Sequence, residues 1–161
     1  MMGDKLSLAG LESFLDETGD SLRGDRDAAE FKEYVIAILF LKRLNDRFSL
    51  ERQVRRNKLT AKGLSQSQIE EDLERREVYR LFVPEMARWD KIKQQTEGLN
   101  TYLMEAFAET EEKNRGCLGA LNDIDFNKTS EKGENFITNI DLVELIKRFD
   151  TLKLTDDNLD F

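Results

Sequence analysis

Apolar residues recur along the chain at helical spacing. Leu8, Leu11, Phe14, Leu15 and Leu22 form one stripe and predict a helix over Ser7 to Leu22, with Gly24 as its stop. Asp27-Ala28-Ala29-Glu30 then has the form of a capping box: an acidic oxygen for the free backbone N–H groups, and a glutamate three residues on to return the bond. A long helix is expected to begin there. On a wheel of about 100° per residue, Phe31, Val35 and Ile38 share one side, Tyr34, Leu39 and Leu41 widen the stripe, and Ala37 and Phe40 carry apolar character round the back. That pattern predicts a central, nearly surrounded helix. Lys42, Asn45 and Asp46 continue the same face, so the core face turns polar. Lys42 and Asp46 form an i,i+4 pair in the less favourable order for the helix dipole, which makes helix stability alone a weak reason for them. Two readings follow: the helix leaves the core here, or its polar face meets another domain or subunit.

Thr60 to Ser67 supplies loop residues around Gly63, and Ser65 followed by Ile69 and Leu73 predicts a third, shorter helix with a charged outer face. Val78 to Val83 is a short aromatic and β-branched run, expected to be extended before a further helical turn at Pro84 to Ala87. Trp89 follows and is expected to plug the core, given its large apolar area. Leu99, Tyr102, Leu103, Ala106 and Phe107 predict a helix over Gly98 to Asn114, ended by Gly116. The stretch from Asn114 to Gly133 is the least regular, with Leu118, Leu121, Ile124 and Phe126 expected to pin it to the core. Thr138 or Asn139 caps a last helix carrying Ile140, Leu142, Val143, Leu145, Ile146 and Phe149; Thr151 to Phe161 shows no closing structure of its own. The expected fold is all-α, a compact bundle of five to six helices around a long central one, with room for one short β-hairpin or extended segment.

Composition narrows the chemistry. The chain has 161 residues, 39% hydrophobic and 36% charged, with one proline, which fits a single helical domain better than a β-sandwich. It has no histidine and one cysteine, so a Ser-His-Asp or Cys-His pair, an imidazole zinc site and an internal disulfide are excluded within it. Cys117 has no basic neighbour to activate it and reads as an ordinary thiol. The longest apolar run, Val35 to Leu41, is seven residues, whereas a membrane span needs about 20. No secretory signal opens the chain, and a cytoplasmic location is expected.

The net charge of −8 conceals a reversal. Between Lys42 and Lys62 eight cations face two carboxylates, a balance of +6 that leaves −14 for the rest. Such segregation can steer a polyanion to one face of an acidic protein, which makes Arg43, Arg47, Arg52, Arg55, Arg56 and Lys58 candidate phosphate contacts. A solvated helix end accounts for the same run equally well. There is no glycine-rich phosphate loop. Gly116 and Gly119 form only an isolated Gly-x-x-Gly, and no carboxylate pair stands out as an acid and its base.

Ordered motifs add what spacing does not. Leu22-Arg23-Gly24, the Ala28 to Lys32 segment, Leu39-Phe40-Leu41-Lys42 and Asn45-Asp46 resemble the N-terminal helical domain of the modification (M) subunit of type I restriction–modification systems. Val83-Pro84-Glu85-Met86-Ala87-Arg88-Trp89 resembles that family's Val-Pro-Glu-x-Ala-x-Trp stretch, and Asp123-Ile124-Asp125-Phe126-Asn127 its Asp-x-Asp-Phe loop. The resemblance covers about residues 8 to 155 and implies a parent subunit that methylates adenine N6 of double-stranded DNA with S-adenosylmethionine. It implies as partners the catalytic domain of the same subunit, a specificity subunit, a second M subunit and a restriction subunit.

This chain departs from the family pattern decisively. The methyl-donor Gly-x-Gly turn and the Asn/Asp-Pro-Pro-Tyr/Phe motif for the flipped base are both missing; with Pro84 as the only proline, no Pro-Pro exists. No catalytic or cofactor-binding residue is therefore expected in this chain. Residues 1–155 are expected to form the helical domain, and 156–161 to begin a linker to an absent catalytic domain. Lys42, Asn45 and Asp46 would form its domain or subunit interface. The alternative is a stand-alone acidic interaction protein or DNA mimic that makes no DNA contact.

Overall fold

The computed structural model describes residues 5–115, 123–156 and 158–160. Among them are six α-helices: α1 (Leu8–Arg23), α2 (Ala28–Ala61), α3 (Gln66–Leu73), α4 (Trp89–Lys93), α5 (Leu99–Lys113) and α6 (Asn139–Phe149). The all-α bundle is the expected one, and α2, at 34 residues, is its long axis. Cys117, Gly116, Gly119, Leu118 and Leu121 lie outside the described residues.

The caps are chemical stops and starts legible in the sequence. The Ser7 hydroxyl accepts the Gly10 N–H at 3.0 Å, and Gly24, at φ 63°, ends α1 in a conformation that strains any side chain. Asp27 accepts from Glu30 N–H, but the reciprocal half of the expected box is not made, because the Glu30 carboxylate pairs with Lys128 instead. Complete capping boxes occur at Ser65 with Gln68 and at Thr138 with Asp141.

Helix α2 runs past three successive hydrophobic clusters. Phe31, Val35, Ile38 and Leu41 pack with Leu103, Phe107 and Phe126, and with Leu142, Leu145 and Phe149 of α6. Leu44 and Phe48 meet Tyr79, Phe82 and Val83, and Leu59 meets Ile69 and Leu73 of α3. The polar turn at Lys42 is therefore not where the helix leaves the core; burial continues to Leu59 because α3 folds back over it. Nor is the middle of α2 surrounded: Ala37 is buried, but Ile36 and Phe40 face outward.

The irregular segments are short. Among the described residues Val78 to Val83 pairs with no strand; it joins 3₁₀ turns at Arg76–Val78 and Glu85–Ala87, and Tyr79 is extended. A small hairpin forms around Thr129 and Asn135, with Gly133 at φ 80° in its turn. The tail differs from its expected openness. Leu154 and Thr155 are buried, and β2 (Leu159–Asp160) pairs in parallel with β1 (Leu6–Ser7), a closing structure that the tail was not expected to have. Two-residue pairing between opposite ends of a chain has no periodic signature from which to read it.

Candidate functional site

Lys42, Asn45 and Asp46 are brought together on one side of α2, and each is engaged within the chain. The Lys42 ammonium donates to both Asp46 oxygens at 2.6 Å and to the Leu152 carbonyl at 2.7 Å. The Asp46 carboxylate also accepts the Leu154 N–H at 2.7 Å. The Asn45 amide donates to the Leu41 and Ala87 carbonyls at 3.0 Å, and its oxygen accepts the Trp89 N–H at 2.7 Å. These three side chains stitch the middle of α2 to the tail and to the start of α4. Stitching accounts for polar groups on a core-facing side, since a buried polar group is tolerated only when hydrogen-bonded.

The same residues form the floor of an open cleft of about 360 Å³, walled by Ser49, Arg52, Arg88, Trp89, Asp90, Lys93 and Asp150. Trp89 is buried as expected, with its indole N–H donating to Asp150 at 2.8 Å and Lys42 Nζ 5.5 Å from its ring centroid. Burial pushes the Asp150 carboxyl upward, but the indole and Lys93 outweigh it and leave the carboxyl below its usual range. No glycine turn lines this cleft, and its carboxylates Asp46 and Asp150 are already held by Lys42, Lys93 and Trp89.

The cationic run of α2 is segregated along the chain but not in space. Arg52 reaches Glu74 at 2.9 Å and Glu70 at 3.7 Å, Arg55 pairs with Asp72, and Arg56 pairs with Glu70. Arg43 pairs with Asp156 and donates to the Leu154 carbonyl at 2.5 Å. Arg47 approaches Glu51 only at 3.9 Å, and Lys58 is exposed. The carboxylates of α3 and its C-terminal end thus neutralise much of the +6. Hydrogen bonds from Arg56 and Arg55 hold Glu70 and Asp72 below the usual carboxylate range, and Arg88 does the same for Glu74.

Two asparagines not singled out by the sequence do the same work as Asn45. Buried Asn100 donates to the Phe126 and Ile137 carbonyls at 2.7 and 2.8 Å, and buried Asn114 accepts from Phe82 N–H and donates to Phe82 O. Nothing in the local sequence marks them, since Asn114 stands between Lys113 and Arg115 and the partners of both lie far along the chain. Arg26 clamps the α1–α2 turn to α6, donating to Leu22 O and Phe136 O and forming a two-nitrogen contact with Asp141. Burial raises the Asp141 carboxyl, but Arg26 and Thr138 outweigh it and hold it below its ordinary 3.8. A carboxyl lowered on folding stabilises the protein above its unfolded value and loses that contribution as pH falls through the folded one. The thermal midpoint should therefore drop as pH falls below about 4, and Asp141→Asn should flatten that dependence. An unchanged slope in the variant would show that this clamp carries none of it.

These features define an all-helical domain whose loops are fastened by buried amides and ion pairs. Residues 11–149 match the family model described as the HsdM N-terminal domain. The chain belongs to that family, a module of type I restriction–modification M subunits. No curated protein matches it. The match stops at Phe149, so the tail contacts with Lys42, Arg43 and Asp46 lie beyond the matched range. Among the described residues no helix is long and apolar enough to cross a membrane.

Proposed function

We propose that this chain is a noncatalytic assembly module of an M subunit, joining the catalytic domain to its neighbours as the complex closes around DNA. The parent subunit in this reading methylates adenine N6 with S-adenosylmethionine, and sequence choice belongs to the specificity subunit. The carrying observation is the family match over residues 11–149 in a chain whose single proline leaves no place for the base-receiving Pro-Pro motif. The mimic reading has less support, because the α3 carboxylates that would imitate phosphates are held by arginines of α2.

Mixed with the purified catalytic domain and specificity subunit of its own system, the full chain should co-sediment as a complex. Separate sedimentation at micromolar concentration would overturn the assembly role, and methylated adenine from the chain alone would overturn the noncatalytic one.

Phosphate contact by Arg52, Arg55 and Arg56 would require exchange of their carboxylate partners. Charge reversal at these three positions in the full complex is therefore expected to loosen α3 and leave the salt slope of DNA binding unchanged. A flattened slope with α3 intact would restore them, with Arg43, Arg47 and Lys58, as a DNA-contact surface.

A further inference from the structure

The tail beyond Leu152 is fastened as a separate piece. The Asn158 and Leu159 N–H groups donate to the Thr155 carbonyl at 3.0 and 3.1 Å, and the Asn158 side-chain amide donates to the Lys153 carbonyl at 2.7 Å. It is therefore bonded to itself. Asp46, Arg43 and β1 tie it to the rest of the domain. The Leu154 N–H donates to Asp46 at 2.7 Å, and Arg43 donates to the Leu154 carbonyl at 2.5 Å and pairs with Asp156. The two-residue β2 lies on β1, and the Leu6 N–H donates to the Asn158 carbonyl at 2.9 Å. Leu154 is 1% exposed, yet among the described residues it sits in none of the three hydrophobic clusters. An open groove of about 480 Å³, lined by Leu11, Leu39, Leu154 and Leu159, runs between the tail and the two helices beneath it, so close packing does not seal this seam as it seals the core.

We propose that residues 153–160 form a latch that opens from α2 as a unit, about a hinge at Leu152 and with every helix in place, and that Arg43 is its catch. Opening strands no buried charge. Lys42 keeps both Asp46 oxygens and the Leu152 carbonyl, because Leu152 stays packed on the main cluster. The Leu154 backbone groups and the Arg43 guanidinium pass to water, and the bonds internal to the latch move with it. What opening forfeits is the burial of Leu154 and Thr155, the pairing with β1 and the contact of Arg43 with Asp156. The Asp156 side chain is 78% exposed, so salt screens that ion pair, whereas the helices are held by apolar burial. The latch thereby sets the state of one side of α2. Closed, it commits Arg43 to the tail; open, it leaves that charge and the leucine-lined groove accessible. This inference stands independently of the assembly reading.

Native-state hydrogen exchange of the full chain, read amide by amide, tests the latch. The Leu6 and Leu154 amides lie near opposite ends of the chain and both donate across the seam, so one opening releases both. Their protection factors should agree within about threefold and lie at least about tenfold below those of the Ile38 and Leu41 amides of α2. Low urea should leave the two nearly unchanged while it lowers those of α2, since the opening exposes little surface. Raising salt from about 0.05 M to about 0.5 M should lower the latch values and spare α2. Arg43→Ala should lower both latch values about tenfold, remove their response to salt and leave Ile38 and Leu41 protected. The unaltered chain decides the first three points, so a variant that merely unfolds does not rescue or sink the proposal. Leu154 protection within about tenfold of α2 overturns it, because the tail would then open only with the helices. Leu6 and Leu154 values more than about threefold apart overturn it as well, because the tail would then fray in pieces. Latch values unmoved by Arg43→Ala would show that Arg43 is not the catch.

Discussion

Asp46→Ala is expected to destabilise the domain by about 3–5 kcal/mol in urea denaturation, because it strands a charge rather than merely deleting a contact. The Lys42 and Asp46 side chains are 6% and 16% exposed, and both carboxylate oxygens accept from the ammonium. Without the carboxylate, Lys42 keeps only the Leu152 carbonyl as a hydrogen-bond acceptor and its distant approach to the Trp89 ring. The Leu154 N–H loses its acceptor at the same time. Lys42→Met combined with Asp46→Ala should cost less than Asp46→Ala alone, since the double variant leaves no unpaired buried charge. Additive losses would show that the two groups are not coupled. Because Leu152 and Leu154 hang on this pair, the single variant should also raise proteolysis of the tail before the helices open.

The outcome bears on what the polar turn of α2 is for. On the wheel, Phe31, Val35 and Ile38 announced a core face, and their complete or near-complete burial follows from that spacing alone. Lys42, Asn45 and Asp46 announced only that the face changes character. Whether such residues point to solvent, to another subunit or back into the same chain depends on partners distant in sequence. Here those partners are backbone groups of residues 87, 89, 152 and 154, and backbone groups carry no sequence signal.

The basic run had the same ambiguity. Its arginines and the acidic outer face of α3 were both legible, yet their pairing needed the turn at Gly63 to fold α3 back across α2. Caps at Asp27 and Thr138 were readable because capping is local, spanning three residues. The bridging amides of Asn100 and Asn114 were not, because each answers to backbone groups 26 or more residues away.

Phe126→Ala is expected to cost about 3–5 kcal/mol, the range for truncating a buried phenylalanine. Its ring is completely buried, 5.5 Å from the Tyr34 ring and 5.6 Å from that of Phe107, in a segment with no regular structure. The surrounding polar contacts depend on that anchor. The Phe126 carbonyl accepts from Asn100 at 2.7 Å, and the Tyr34 hydroxyl donates to the Asp125 carbonyl at 2.8 Å. Burial, with the nearby carboxylates of Glu30 and Asp125, pushes the Tyr34 phenol up to about 12, so it stays a donor at any working pH. Losing the ring opens a cavity against α2 and α5 and frees the loop that leads through the hairpin to Ile137 and the cap of α6. For a domain of this size the thermal midpoint should fall by about 10 °C, with loss of near-ultraviolet aromatic signal. Phe126→Leu, which keeps most of the volume, should lose far less. If Phe126→Ala melts like the parent, the loop is not part of the cooperative core.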